Sequence, residues 1–422
     1  MEPEIKIEDY NYELPEERIA KFPLDERDQS KILIYKDGAI GENIFSNLPE
    51  LLPDGSLMVF NSTKVVPARL IFKKDTGARI EIFCLEPYSP ADYNLSFAAE
   101  NSCEWIVAVG NAKRWRGEEI GFDCRDIDDV KALNLRASII TRREEDYIVK
   151  FAWDAKIPFS NVLELCGNIP IPPYLKRDTQ EIDHERYQTL YARVRGSVAA
   201  PTAGLHFSGK VLDKLKDNGI GYEELILHVG AGTFRPVKSQ YIAEHKMHSE
   251  PFTVSRRFLE VLLNCLKSRQ NIIAVGTTST RVLESLYYLG LQIARCGAPG
   301  KIEQWEPYRS GVGSLDCGEY TGADSDVEAS IYSIGRVVEW MDKNGIDHYS
   351  GNTEILIAPG YKFKIVDILI TNFHQPQSTL LLLISAFIGE RWRDIYKYAI
   401  NNNFRFLSYG DSSILFGCRQ KM

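Results

Sequence analysis

The sequence predicts an α/β protein: a large discontinuous α/β domain with a small β-barrel domain inserted. Three observations predict it. Between residues 78 and 153, short β-leaning runs (79–83, 105–109 and 147–152) are separated by Gly, Asp and Asn turns with little helical periodicity, the texture of a small antiparallel barrel or meander. After the proline-rich link 169–174, strand and helix patterns alternate, which favours a sheet covered by helices. The 422 residues also exceed what one core of about 150 residues needs, leaving room for a second module. The expected division is 1–75 and 156–422 for the large domain, 76–155 for the barrel, and 289–350 as an accessory insertion that packs at an edge or covers a site.

Taken in order, a turn at 53–56 leads into strand 57–60, which ends at Asn61. Helical patterns at 211–215, 258–266 and 279–288 alternate with strands at 224–229 and 271–275. Within 289–350 there is a glycine-rich stretch, 311–322, and a helical pattern at 327–343. The chain closes with strands at 354–357 and 364–371, an apolar helix at 379–388, an amphipathic stretch at 390–401 and a strand at 413–416.

Composition narrows the function classes. With 44% apolar and 26% charged residues the chain reads as globular rather than disordered. A net charge of -8 gives no whole-protein attraction to a polyanion, and leaves only local basic patches for that purpose. Eight cysteines without a C-x-x-C pair read as reduced thiols. The acidic start lacks a signal-peptide build, and the most apolar run, 378–388, falls short of the roughly 20 residues of a spanning helix. A cytoplasmic enzyme without a membrane partner is the expectation.

Five constellations carry candidate chemistry. Asn61, Thr63, Lys64 and Arg69 follow strand 57–60, either as a ligand loop or as a solvated turn. Thr202 and His206 lie in a Pro/Gly-rich segment, where the histidine is either packed or functional. His228, Gly230, Gly232, Thr233 and Arg235 form the third, and it continues to His245, His248 and Glu250. His245 and His248 invite a metal, but no H-E-x-x-H frame or cysteine pair completes a set, so no metal is expected. Thr277, Thr278, Ser279 and Arg281 open a helix after strand 271–275, suited to a carboxylate or phosphate. Thr371, Asn372 and His374 end strand 364–371, and Asp411 adds a carboxylate near the last strand. No nucleophile elbow, Rossmann glycine triplet or zinc-deaminase signature is present.

Several long motifs in order, APTAGLHF (200–207), LHVGAGTFRPV (227–237), EHKMHSE (244–250), VGTTSTRVLES (275–285), PGYKFKIVD (359–367) and LITNFH (369–374), resemble the S-adenosylmethionine:tRNA ribosyltransferase-isomerases of queuosine biosynthesis. The resemblance implies a large α/β domain interrupted by a small barrel. It also implies transfer and isomerisation of the ribosyl moiety of S-adenosylmethionine onto 7-aminomethyl-7-deazaguanine at the wobble position of tRNA with a GUN anticodon. Epoxyqueuosine forms, and adenine and methionine leave. S-adenosylmethionine is then a co-substrate, with no recycled cofactor.

That chemistry needs a base near the ribose C5′ and a proton donor near adenine, for which His206, His228, His248, His374, Glu250 and Asp411 are the candidates. Arg235 and Arg281 suit the methionine carboxylate, the hydroxyls of 277–279 suit ribose or carboxylate oxygens, and Asn61, Thr63, Lys64 and Arg69 suit the modified base or tRNA backbone. The chain departs from the family pattern at Ser62, where Asp is usual, at Gln375 and Gln377, and in the length of 289–350. These departures motivate the alternative of a paralogue acting on a different nucleobase or small acceptor. Sequence leaves monomer and homodimer equally open.

Overall fold

The structure, a computed structural model, describes residues 4–123, 128–143, 146–230, 237, 239–309 and 324–417. Strands β1 (Lys31–Lys36) and β2 (Ala39–Ile44) form a hairpin, and β3 (Leu57–Asn61) and the short β4 (Thr63–Val65) follow. Six strands then build a closed barrel: β5 (Arg69–Lys73), β6 (Arg79–Ser89), β7 (Ser102–Gly110), β8 (Ile120–Phe122), β9 (Arg136–Arg143) and β10 (Asp146–Ala152). The chain returns through β11 (Val194–Ser197), β12 (Gly221–Leu227), β13 (Glu250–Ser255), β14 (Ile272–Val275), β15 (His348–Thr353), β16 (Ile368–Asn372) and β17 (Ser412–Phe416).

Nine of these strands form one mixed sheet in the order β15-β13-β12-β3-β14-β16-β17-β1-β2. Its middle, β12-β3-β14-β16, is parallel. Strand β3 shows why: every residue is buried, with Leu57 and Val59 in the core on one face and Met58 and Phe60 in the core on the other. Such a strand has no solvent face, and helices must cover both sides. The carboxyl ends of the four parallel strands therefore share one edge, where sheet enzymes collect ligands.

The barrel has its own core, including Phe72, Trp105 and Phe151. It begins at Arg69, ahead of the boundary expected at 76, because β5 pairs with β6 across a turn containing Gly77. Residues 289–350 do not form one accessory unit. The helix Gly276–Cys296 runs past 289, the helix Asp324–Asn344 packs on it, and β15 is an edge strand of the main sheet. The two helices approach so closely that a Cβ at Gly290 would lie 2.1 Å from the Ser333 carbonyl oxygen. The glycine-rich stretch 311–322 lies outside the described residues.

Two expected strands differ. Residues 354–357 belong to no strand, although Glu354 and Leu356 donate N–H to the carbonyls of Ile302 and Gln304, and β16 starts at Ile368 instead of 364. The cause of the second is Glu284, fully buried, whose carboxylate accepts from the backbone N–H of Lys364, Ile365 and Val366 and from the Tyr361 hydroxyl. Amides bound to a carboxylate are unavailable to a sheet ladder. No helix among the described residues is long and apolar enough to cross a membrane.

Candidate active site

A cleft of about 920 Å³ opens at the carboxyl edge of the parallel strands, between the main sheet and the rim of the barrel. Three of the expected loops meet there: His228 after β12, Gly276–Arg281 after β14, and Thr371–His374 at the end of β16. Thr202, Gly230, His248 and Glu250 line it as well. Gly232, Thr233 and Arg235 lie outside the described residues.

The helix after β14 divides its hydroxyls by depth. Ser279 donates to the Val275 carbonyl and Thr280 to the Gly276 carbonyl, back-bonds that consume both groups inside the helix. Thr277 and Thr278 line the cleft instead, and the buried Thr278 Oγ1 has no hydrogen-bond partner among the described residues. Ser279, expected in the binding set, does not line the cleft and spends its hydroxyl proton inside the helix. One turn later Arg281, 8% exposed, donates from Nη1 to Glu250 and from Nε to the Ile355 carbonyl, while its buried Nη2 has no partner among the described residues. A buried guanidinium with one pair of donors unspent is a site for an anion. Glu250 is committed to this ion pair, which leaves it unsuited to act as a free base.

His228 is clamped between two elements. Its ring stacks on Tyr93 of the barrel, with centroids 4.7 Å apart at 9°, while on another side it meets the backbone of Gly196 in β11. Gly196 adopts φ +146°, and a Cβ there would stand 2.4 Å from Nδ1. Nδ1 is buried without a partner among the described residues, and the residue lines the cleft. Burial pushes the His228 pKa down to about 4. His374 is held by Thr371 Oγ1 at 3.0 Å from Nε2, its backbone N–H donates to the Tyr396 hydroxyl, and burial lowers it to about 4 as well. Both rings are neutral near pH 7 and able to accept a proton. His248 is exposed at the cleft mouth. It and His245 precede β13 in non-helical chain, so their three-residue spacing does not place them on a helix face.

The other expected residues stand elsewhere. His206 lies behind the cleft, its Nδ1 2.8 Å from Ser30 Oγ and its ring against Phe45. Burial first, and then Arg405, push its pKa down to about 3; the neighbouring Asn372 acts in the opposite sense, although the two side chains form no hydrogen bond. Asn372 does line the cleft and donates to the Leu407 carbonyl. Asp411 is spent on the backbone N–H groups of Lys31 and Arg405 and on the Arg405 guanidinium. Asn61 bridges β3 to β12, donating to the Leu227 carbonyl and accepting from Leu227 N–H. Thr63 is buried, Lys64 is half-buried on β4, and Arg69 makes a two-pronged ion pair with Glu81 on the barrel. None of these six lines the cleft.

The barrel supplies wall residues that no motif announced: Glu86, Tyr93, Arg143 and Asp146. Only the tertiary approach of barrel and sheet brings them in. Lys246 was legible, since it sits inside the EHKMHSE run.

The family model described as queuosine biosynthesis protein matches residues 7–306 and 325–415. The chain belongs to this family. An S-adenosylmethionine:tRNA ribosyltransferase-isomerase of Halothermothrix orenii is 37% identical over 97% of this chain and 100% of its own length. Its namesake from Thermosipho melanesiensis is 36% identical over 98% of this chain and 100% of its own. A crystal structure of S-adenosylmethionine tRNA ribosyltransferase from Thermotoga maritima covers 96% of this chain and 99% of its own, at 26% identity and a TM-score of 0.45. The family match takes in most of 289–350 and leaves 307–324 unmatched.

Proposed function

We propose that this chain is an S-adenosylmethionine:tRNA ribosyltransferase-isomerase that converts 7-aminomethyl-7-deazaguanine at the wobble position of GUN-anticodon tRNA to epoxyqueuosine, releasing adenine and methionine. The observation that carries the reading is the buried, partly unspent Arg281 guanidinium beside the Thr278 hydroxyl, on the same cleft as two neutral histidines. The unspent donors of Arg281 take the methionine carboxylate of S-adenosylmethionine through charge-assisted hydrogen bonds. The volume, about 920 Å³, is at the upper end of small-molecule sites and has room for a nucleoside together with an acceptor base.

The sulfonium acidifies the adjacent C5′ protons. A neutral imidazole close by accepts one of them, and His228, which lines the cleft and whose ring makes no hydrogen bond among the described residues, suits this role better than His374, whose Nε2 is held by Thr371. The acceptor base enters along the barrel rim, where Glu86 and Asp146 stand near its aminomethyl cation. Adenine and methionine depart from the opposite, sheet-side wall.

The test is incubation of the protein with S-adenosylmethionine and tRNA bearing 7-aminomethyl-7-deazaguanine, followed by nucleoside mass spectrometry and adenine assay. Epoxyqueuosine with stoichiometric adenine is the expected result. Adenine release without epoxyqueuosine, or neither product, overturns the proposal.

A further inference from the structure

A second concave feature lies behind the cleft, and the reaction as described makes no use of it. It is a shallow crevice of about 20 Å³ lined by Arg27, Arg186, Arg405, His206 and Ser408. Ser408 also lines the main cleft, so the two are separated by one residue.

The crevice is rich in donors and poor in countercharge. Arg405 is paired with Asp411, but neither Arg27 nor Arg186 has an ion-pair partner among the described residues. Their hydrogen bonds among the described residues go to neutral carbonyls: Arg27 to Gln188, Arg186 to Asp25 and Leu24. Arg27 feels Arg186 as a repelling neighbour, with Glu185 and Asp28 acting on it only through space. His206 is 4% exposed, and its Nε2 has no partner among the described residues. With Ser30 at Nδ1, the tautomer whose Nε2 carries the proton adds another donor. Unpaired guanidiniums sharing one crevice repel each other, and an anion relieves that repulsion.

We infer that this crevice is a phosphate subsite for the tRNA backbone, seating a phosphodiester next to the nucleotide whose base enters the cleft. The crevice, about 20 Å³, has room for about one phosphate oxygen, since a water-sized atom needs about 10–15 Å³, and its place one residue from the cleft suits the phosphodiester of a nucleotide whose base is in the cleft. Phosphate contacts of this kind set register and leave the reading of the base to the cleft. The inference rests on the proposed tRNA reaction and names a positioning surface for it.

The experiment is filter binding of substrate tRNA to the full chain and to Arg27→Gln/Arg186→Gln, across a salt series, with Arg27→Lys/Arg186→Lys as the charge-keeping control. The expected result is a rise of about tenfold or more in tRNA Kd for the Gln pair, a smaller rise for the Lys pair, and a salt slope shallower by about 0.7 for the one lost contact. The KM for S-adenosylmethionine and kcat at saturating tRNA stay at wild-type values. Unchanged tRNA Kd and slope overturn the inference. So does a result in which inorganic phosphate raises the thermal midpoint of wild type but not of the Gln pair while tRNA binding is equal, since the ligand is then a free anion. Binding is scored without chemistry, so absence of epoxyqueuosine from wild type condemns the reaction and leaves the binding result to be read separately.

Discussion

Gly196→Ala is the sharpest test of how the site is built. The added methyl would stand 2.4 Å from His228 Nδ1 and 2.5 Å from Cε1, whereas ordinary contact begins at 3.4 Å, so the ring must retreat by about 1 Å. Tyr93, stacked on one face of the ring with centroids 4.7 Å apart, blocks retreat on that side, so the ring leaves its position at the edge of the cleft. Alanine at φ +146° adds backbone strain of about 1–3 kcal/mol. A misplacement near 1 Å at a reacting group costs on the order of 100-fold in rate. The assay is adenine release at saturating S-adenosylmethionine and tRNA, with urea denaturation alongside. We expect kcat to fall about 100-fold in a protein that still folds, with stability lower by about 1–3 kcal/mol. A folded variant with kcat within about twofold of wild type refutes the claim that this clamp sets the geometry of His228 for the reaction.

Three further outcomes follow from the same structure. Arg281→Lys keeps a charge for Glu250 but removes the second guanidinium nitrogen, so the KM for S-adenosylmethionine should rise about tenfold or more with little change for tRNA; equal effects on both substrates would contradict it. Glu284→Gln replaces an all-acceptor carboxylate by an amide whose NH2 faces backbone donors, which should lower stability by about 1–3 kcal/mol in urea denaturation; an unmoved midpoint counts against the hub role. Burial lowers His228 and His374 to about 4, so a step that needs a neutral ring should hold its rate as pH falls through 6.5 and lose it only toward 4. The unfolded rings take up protons near 6.5, so folding stability weakens over that same fall. An acid limb in kcat/KM centred near 6.5 would exclude both rings as the base.

Much of the architecture was legible because local patterns and tertiary demands agree. The helix Thr379–Ile388 is capped by Ser378 and buried, as an apolar run after a serine suggests. The helix Arg256–Lys267 carries Ser255 at its cap and an apolar stripe at Phe258, Leu259, Leu262 and Leu266. Where they disagree, the sequence misled. Residues 364–366 look like a strand, yet Glu284, 80 or more positions away in the chain, takes their amides. Among the site residues, motif density located the loops but not the direction in which each side chain points. Asn61 and Asp411 sit in the same kind of segment as Asn372 and Arg281, but their polar groups are consumed in holding strands and loops together.

By itself the chain determined which segments become buried parallel strands, and hence that His228, Thr277 and Asn372 follow strand ends on a common sheet. A run of apolar residues long enough for a strand and lacking a polar face can be covered only on both sides, and that is local information. What only the tertiary structure decided is which polar groups remain unspent. Hydrogen-bond capacity is settled by the partners the fold supplies, so among the described residues Arg281 keeps unspent donors at the cleft, Ser279 spends its proton within its own helix, and Tyr93 of the barrel becomes the second jaw on His228.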